Sequence, residues 1–306
     1  MPVDDVLERI DRNEDASIDR LKEWLRIPSV GTDPAYDEQT QRAAAWCAER
    51  LREAGFEAEL VPTARPEEGR RGQPIVTAHC PGADDYSGPH VLFYGHYDVQ
   101  PPDPLDQWDT APFDPHIKPS EGEMGERIVA RGAVDDKGQV ATFLEAMRAW
   151  KEQTGEPGGG VRYTVVIEGE EESGSTNLER FIQQHADRLK QCDVCLISDT
   201  GMLGRGQPAI TYGVRGMTYT EVALHGANQD MHSGQWGGRV PNPINELCRV
   251  LAQLHDSEGR VAIPGFYHDV RELTDEERRA WAELEIDDKA MLASVGLPPE
   301  ADSGEQ

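Results

Sequence analysis

The chain contains an apolar run that leads directly into a histidine and an aspartate, Val91-Leu-Phe-Tyr-Gly-His96-Tyr-Asp98-Val-Gln-Pro101. The start of this run predicts a buried strand over residues 91–94, and the glycine that follows allows close approach of the backbone. The aspartate can hold the imidazole in one tautomer, as the partners of metal-bound histidines do. Because ligands bind beyond the carboxyl ends of strands in open parallel sheets, the segment predicts a sheet strand that ends at a ligand site.

Segments with strand and helix patterns alternate on both sides of this run. Further strands are predicted at residues 57–61, 75–79, 163–168 and 194–198, and helices at 16–25, 38–54, 140–151 and 178–189. This alternation predicts an α/β domain over residues 1–212, with a mostly parallel sheet flanked by helices. From residue 213 the pattern changes to a strand at 217–225, a glycine-rich stretch and helices at 242–254 and 274–285. Residues 213–306 are therefore predicted to form a smaller α+β domain inserted after the main sheet.

The chain is strongly acidic. Its 306 residues include 57 acidic and 30 basic side chains, which gives a formal net charge of −27 at pH 7. Nucleic acids and anionic membranes are bound by basic surfaces, so this charge argues against both as partners. No stretch approaches the roughly 20 apolar residues that span a membrane, and the first residues are too charged for a signal peptide. A cytoplasmic protein is expected.

The five cysteines are scattered and odd in number, which predicts reduced thiols rather than a disulfide framework. Cys192 and Cys195 form a C-x-x-C pair within a predicted strand. A redox motif would be expected at the start of a helix, and a zinc ribbon would need a second pair. We therefore predict that both cysteines are buried small residues of the strand.

Three more segments place acids beside predicted strands or turns. Asp135 and Asp136 are adjacent in a glycine-flanked turn, where their repulsion calls for a cation unless one of them caps the following helix. Residues 168–172 contain four glutamates, which form either a solvated face or one carboxylate ligand and one general base. For the base, spacing allows Glu170 and Glu171 equally well. Asp199 follows the last predicted strand of the domain.

Together these segments resemble the zinc-dependent aminoacylase, carboxypeptidase and dipeptidase family of metallopeptidases, which also includes acetylornithine deacetylase and succinyl-diaminopimelate desuccinylase. The stretches Gly95-His-Tyr-Asp-Val-Gln-Pro101 and Glu168-Gly-x-Glu-Glu-Ser-Gly-Ser175 are most similar to its carnosinase-type dipeptidase branch. The resemblance runs from about residue 18 to residue 271, and four motifs in the same order make it specific.

The resemblance implies a role for each matched residue. His96 and Asp199 would bind one metal ion, Glu172 would bind a second, and Asp135 would bridge the two. Two divalent ions are implied, with zinc as the expected metal and manganese or cobalt as alternatives. A water shared by the ions would attack the scissile carbonyl. Two catalytic residues are implied, Glu171 as the general base and Asp98 as the residue that orients the histidine.

A fifth match lies in the smaller domain, at Asp230-Met-His232-Ser-Gly234. By itself, a histidine in a glycine-rich loop is more often a surface residue. In the family that it resembles, the equivalent histidine reaches the active site of the partner subunit and stabilises the oxyanion of the tetrahedral intermediate. The resemblance therefore implies that His232 is substrate-binding, that the smaller domain is a lid and dimerisation domain, and that the protein is a homodimer acting on a small peptide or an N-acyl amino acid.

The chain departs from the family pattern near its end. Family members return to the catalytic domain with a segment that carries a final histidine ligand, but no histidine follows His268, which is predicted to lie in a loop. We expect the chain to be the N-terminal part of a dipeptidase whose metal-bridging water is activated by Glu171. An N-acyl amino-acid deacylase or desuccinylase is the alternative enzyme, and a non-catalytic remnant that binds metal or dimerises is the alternative of another class. The intact set of candidate site residues favours an enzyme.

Overall fold

The computed structural model of the chain describes residues 3–65, 70–119, 125–204, 206–284 and 286–298. The chain divides into a first unit, Met1–Val214, and a second unit, Arg215–Gln306. In chain order the strands are β1 (Glu57–Val61), β2 (Ala64–Arg65), β3 (Arg70–Arg71), β4 (Ile75–Cys80), β5 (Val91–His96), β6 (His116–Pro119), β7 (Glu126–Val129), β8 (Tyr163–Glu168) and β9 (Val194–Ile197).

The helices of the first unit are α1 (Val3–Arg12), α2 (Glu14–Leu25), α3 (Asp37–Glu53), α4 (Lys137–Thr154), α5 (Leu178–Gln184) and α6 (Ala186–Leu189). The second unit contains α7 (Ser233–Trp236), α8 (Pro243–Leu251), α9 (Asp275–Ala282) and α10 (Asp288–Ser294). Among the described helices, none is both long and apolar enough to cross a membrane.

Five strands of the first unit form one sheet in the order β1-β4-β8-β5-β9. The strand β5 is parallel to both of its neighbours, β8 and β9, whereas β4 is antiparallel to β1 and β8. The predicted α/β class is confirmed, but the sheet is mixed rather than mostly parallel. The connection from β1 to β4 contains only the β2–β3 ladder among its described residues, and without a crossover helix the chain reverses direction.

Helices pack on both faces of this sheet. The side chains of Val165 and Ile167 join a large core cluster with α3 and α4, while Val166 points the other way, toward Phe181 of α5. This alternation is the period of two that a β-strand imposes on its side chains. Within the large cluster the rings of Phe93 and Phe143 stack with centroids 3.8 Å apart.

Two predicted elements of the first unit differ from the structure. The helix predicted at 178–189 is divided into α5 and α6 at His185, whose backbone angles are not helical. The cysteines were predicted to be buried, but Cys195 is exposed and Cys192 is only half-buried. Cys195 lies in β9, the edge strand of the sheet, whose four residues are all exposed, and Cys192 lies before that strand and outside it.

The second unit is helical and irregular over its described residues. The strand predicted at 217–225 is not formed, and the β-type pairing described in this unit is one isolated bridge between His255 and Val261. A strand needs a partner to satisfy its backbone groups, and no described segment of this unit pairs with 217–225. Helices of this unit form where the sequence carries a local signal for them. Thr274 and Glu277, for example, form a capping box at the start of α9.

Candidate metal centre

The candidate site lies where parallel strands of the first unit end at the same edge of the sheet. His96 is the last residue of β5 and lies opposite Glu168, the last residue of β8. The neighbouring strand β9 ends two residues before Asp199, and Asp135 lies just before α4. Parallel pairing thus brings together the histidine, the acidic turn after β8 and two aspartates from segments far apart in the sequence.

Three of these residues form a group that could hold a metal ion. One ligand atom from each of His96, Asp135 and Asp199 lies within 4.8 Å of the others. The His96 Nε2 atom is 3.0 Å from Asp135 Oδ1 and 3.6 Å from Asp199 Oδ2. Glu171 is the next acid, with its Oε2 atom 4.0 Å from the same nitrogen.

The imidazole of His96 fits the role of a metal ligand. It is completely buried, and its Nδ1 atom lies 3.0 Å from the backbone oxygen of Asp98. Its Nε2 atom is also buried, yet it makes no hydrogen bond of acceptable geometry with any described residue. A buried polar atom without a partner is costly, and one that faces two carboxylates has the environment of a ligand atom. One imidazole with carboxylate oxygens is a donor set that suits divalent transition metals.

The electrostatics of the group agree with a bound cation. Burial by itself lowers the pKa of His96, but hydrogen bonding and attraction from Asp98, together with Asp136 and Glu171, outweigh burial and raise that pKa to about 10. Burial raises the pKa of Asp136 to about 7, with a further contribution from the neighbouring aspartates. Burial likewise raises the pKa of Glu171 and Glu172. Negative charge is in excess here, and a divalent ion would neutralise it.

Asp98 connects the histidine to the acidic turn. Its buried carboxylate lies 3.5 Å from His96 Nδ1 and accepts hydrogen bonds from the backbone N–H groups of Glu171, at 3.3 Å, and Glu172, at 3.1 Å. The Asp98 carboxylate is packed tightly against Gly31, because a Cβ atom on that glycine would lie 2.4 Å from Asp98 Oδ2. Asp98 therefore holds two elements of the site in one arrangement.

Two residues that follow Asp135 have structural roles beside the site that the sequence did not predict. Asp136 occupies the N-cap position of α4, but its side chain makes no capping hydrogen bond and instead accepts one from the backbone N–H of His96, at 3.0 Å. Lys137 is fully buried, and its Nζ atom donates to the backbone oxygens of Trp24, at 3.2 Å, and Ile27, at 2.8 Å. The pair of adjacent acids was the sequence signal that could have indicated a role for Asp136. No comparable signal exists for Lys137, because the sequence does not show that a charged residue at the start of a helix is buried.

Three of the four glutamates at residues 168–172 have clearly different environments. Glu168 is buried and accepts hydrogen bonds from the hydroxyls of Tyr94 and Ser175. Glu170 is buried too, and it accepts hydrogen bonds from Gln73 and Asn177. The Glu171 side chain is 40% exposed and reaches toward His96. This placement favours Glu171 over Glu170 as the base, a choice that spacing left open.

The remaining candidate residues lie outside the three-residue group. Glu172 is not among its ligands: its Oε2 atom accepts a hydrogen bond of 2.6 Å from Gln100 Nε2. His232 lies in the second unit, at the N-cap of α7, where its Nδ1 atom accepts a hydrogen bond from the backbone N–H of Gly234. The roles implied for these two residues stay predictions.

An open cleft of about 660 Å³ adjoins the group, with Asp135 and Asp199 in its wall. The wall also includes Val134, Thr200 and Gly201. A space of this size next to candidate ligand atoms can admit a small molecule.

A helix-flanked mixed sheet that gathers one imidazole and several carboxylates at its strand ends defines an α/β protein with a candidate metal-binding site. Comparison with known proteins gives its family. The model of the peptidase family M20/M25/M40 matches residues 92–302, more than half of the chain, and the chain belongs to this family. This confirms the resemblance to metallopeptidases drawn from the motifs.

Several of the similar proteins are dipeptidases by name. The chain is 34% identical to human Beta-Ala-His dipeptidase over 290 residues, which are 92% of this chain and 55% of that protein. It is 32% identical to the Cys-Gly metallodipeptidase DUG1 of Candida albicans over 303 residues, 97% of this chain and 61% of that protein. The structure of human carnosine dipeptidase 1 matches with a TM-score of 0.73 at 29% identity, covering 99% of this chain and 63% of that one. The chain thus spans about three fifths of the length of these relatives.

Proposed function

We propose that the chain carries the metal centre of a metal-dependent dipeptidase. The observation that carries the proposal is the convergence of His96, Asp135 and Asp199 within 4.8 Å, with the Glu171 carboxylate 4.0 Å from His96 Nε2. The names of the relatives support a dipeptide as the substrate, because they include a Cys-Gly metallodipeptidase and a Beta-Ala-His dipeptidase.

Each residue has a defined task in this proposal. His96, Asp135 and Asp199 hold the first ion, and Asp135 also contributes to a second ion together with Glu172. A divalent ion supplies Lewis acidity and lowers the pKa of a water. Zinc is the proposed metal, with manganese or cobalt as alternatives, because imidazole and carboxylate suit all three. For Glu172 to act as a ligand, its carboxylate must share or exchange the hydrogen bond from Gln100.

Glu171 is the proposed general base. It lies beside the ligand group, it is partly open to solvent, and burial raises its pKa toward the range in which a carboxylate can accept and return a proton. It would take the proton of the attacking water and pass it to the leaving amine. Asp98 would keep His96 oriented through the contact at Nδ1.

The second unit has a proposed role as a lid and dimerisation domain, with residues 1–212 as the catalytic part. Exposed apolar side chains such as Met217 and Tyr219 support an interface between two copies. His232 would then stabilise the oxyanion in the partner subunit's site. A cytoplasmic location is also proposed, supported by five cysteines that are all free thiols.

The test is an assay of the full-length protein, reconstituted with zinc or manganese, against dipeptides and N-acyl amino acids, with released amino acid as the readout. We expect hydrolysis of dipeptides. Release of amino acid only from acylated substrates would favour a deacylase or desuccinylase instead. A full-length protein that binds metal but releases nothing from either class would favour the non-catalytic alternative.

Two variants assign the base. Glu171→Gln should abolish turnover while metal content stays near that of the wild type, because the base is not a ligand. Glu179→Gln is the matched control, since it removes one exposed acid of α5 that is not among the candidate ligands and should leave both readouts unchanged. Loss of metal from Glu171→Gln would show that base and ligand are assigned the wrong way round.

A further inference from the structure

We propose that Glu170 is a positioning residue that sets the direction of Glu171 and Glu172 at the metal centre. Its side chain is not among the candidate ligands, and it acts through the backbone of the turn that carries the next two glutamates. The inference rests on the proposed function in one respect, namely that the group around His96 binds a metal.

The Glu170 carboxylate joins two segments that are distant in sequence. Glu170 is 1% exposed, and its Oε1 atom accepts a hydrogen bond of 2.9 Å from the backbone N–H of Gln73, just before β4. Asn177, at the start of α5, donates from Nδ2 to both carboxylate oxygens, at 3.1 and 2.9 Å, and from its backbone N–H at 3.3 Å. The turn after β8 is therefore attached to the starts of β4 and α5 through one buried side chain.

The backbone of Glu170 closes the same turn. Its carbonyl oxygen accepts hydrogen bonds from the backbone N–H groups of Ser173, at 3.1 Å, and Ser175, at 2.7 Å. The Asp98 carboxylate accepts the N–H groups of Glu171 and Glu172. The turn that carries these two acids is thus held by two buried carboxylates, those of Asp98 and Glu170.

The attachment depends on a carboxylate and not only on a side chain of this size. The named partners of Glu170 are all N–H donors, and both of its oxygens accept. An amide in its place would have one acceptor and would turn an NH₂ group toward another donor in a buried site. The amide could not move to avoid that donor, because the space beside it is filled: a Cβ atom on Gly72 would lie only 2.8 Å from Glu170 Oε1. We therefore expect Glu170→Gln to displace the turn, and Glu171 and Glu172 with it.

The test is titration of the full chain with Co²⁺ alone, followed by calorimetry and by the visible absorption bands of the bound ion, below the melting temperature of every variant. Glu170→Gln should weaken Co²⁺ binding by about 10-fold or more, as loss of groups that orient metal ligands does, and should change the absorption bands. Val165→Ala is the matched control, because it removes buried core volume from β8 without touching the turn. It should lower the melting temperature and leave the affinity for Co²⁺ and the bands unchanged.

A double variant supplies the rescue. In E170Q/N177D the new amide nitrogen can donate to the new carboxylate at position 177, while the amide oxygen still accepts from Gln73. The exchange restores a pair of one carboxylate and one amide between positions 170 and 177. The Co²⁺ affinity and the absorption bands should therefore return toward those of the wild type. Should E170Q not fold, Asn177→Ala removes donors from the same carboxylate and should weaken Co²⁺ binding in the same direction.

Three results would overturn the inference. An E170Q variant that binds Co²⁺ as the wild type does would show that the turn does not need the carboxylate. Equal effects of E170Q and V165A on affinity would show a general stability effect and no positioning. A wild-type chain that binds no Co²⁺ would remove the metal centre of the proposed function and this inference with it, whereas the first two results leave that proposed function intact.

Discussion

The first and second units differ in where they place apolar side chains. In the first unit Phe93 is 1% exposed and belongs to a large cluster shared by the sheet, α3 and α4. In the second unit Met217 is 78% and Tyr219 is 89% exposed, and none of its described residues is buried. The strand β9 at the edge of the first unit's sheet resembles the second unit in this respect, since its residues are all exposed.

The difference explains why the candidate metal group is built from the first unit alone. The ligand atoms of this group extend from the ends of strands and from the start of a helix. A close-packed core holds these strands and this helix in place. The helices of the second unit are defined by local devices, such as the Thr274 capping box and the Asn242 cap of α8. Contiguous apolar surface on a protein is typical of a region that another surface covers.

The largest expected effect is on the core of the first unit. Phe93→Ala removes a buried ring that stacks on Phe143, and it should lower the free energy of unfolding by about 3–5 kcal/mol. Urea denaturation followed by circular dichroism measures this. A loss below about 1 kcal/mol would show that this cluster does not hold the unit together, and the contrast between the units would disappear.

The next largest effect is expected on zinc affinity, which should depend on the first unit and not on the second. Asp98→Asn keeps the size of the side chain but places an amide against the N–H groups of Glu171 and Glu172, so zinc affinity should fall by about 10- to 100-fold. His268→Gln, in the second unit, should leave the affinity unchanged because the side chain is 84% exposed and is not part of the candidate group. Calorimetric titration with zinc measures both. A comparable loss in His268→Gln would place a ligand in the second unit.

A pH effect is expected from His90, which lies just before β5 with its Nε2 atom 3.0 Å from Thr164 Oγ1. Burial lowers its pKa in the folded protein, whereas the unfolded chain takes up a proton near pH 6.5. The stabilisation from neutral His90 is complete above about pH 6.5 and is lost as the pH falls toward the lowered pKa, by at most about 1.4 kcal/mol per pH unit. His90→Gln should therefore flatten the fall in the free energy of unfolding between about pH 7 and 5. An unchanged slope would show that this histidine is not shielded by the core.

The smallest effect is expected on the exposed apolar surface of the second unit. Tyr219→Ser should change the free energy of unfolding of the monomer by no more than about 0.5 kcal/mol, as most substitutions on open surface do, because the proposed interface would cover this ring only when two copies associate. Chemical denaturation of the same chain measures it, with light scattering as a check on association. A clearly larger loss of stability would mean that this ring is buried in solution, and the two units would then be more alike than their exposures indicate.

Several elements follow from the sequence because their signals are local. The strand β8 has the predicted bounds, since Tyr163–Glu168 is an apolar run between a glycine turn and an acidic turn. The helix α3 follows from its spacing of apolar residues and ends next to Gly55. Pairing is not local: the reversed direction of β4, the exposure of Cys195 and the unformed strand at 217–225 all depend on which neighbours a segment finds. A period of two predicts a strand but does not name its partner.

The candidate site divides in the same way. The sequence by itself determined the chemistry, because a histidine or an acid after three of the apolar runs, and a pair of acids in a glycine-flanked turn, need only the order of residues to be seen. Only the tertiary structure shows how the glutamates are oriented, with Glu171 turned toward His96 and Glu170 buried against Gln73 and Asn177. The physical reason is that adjacent residues in a turn point in different directions, and hydrogen bonds to distant segments determine which direction each one takes.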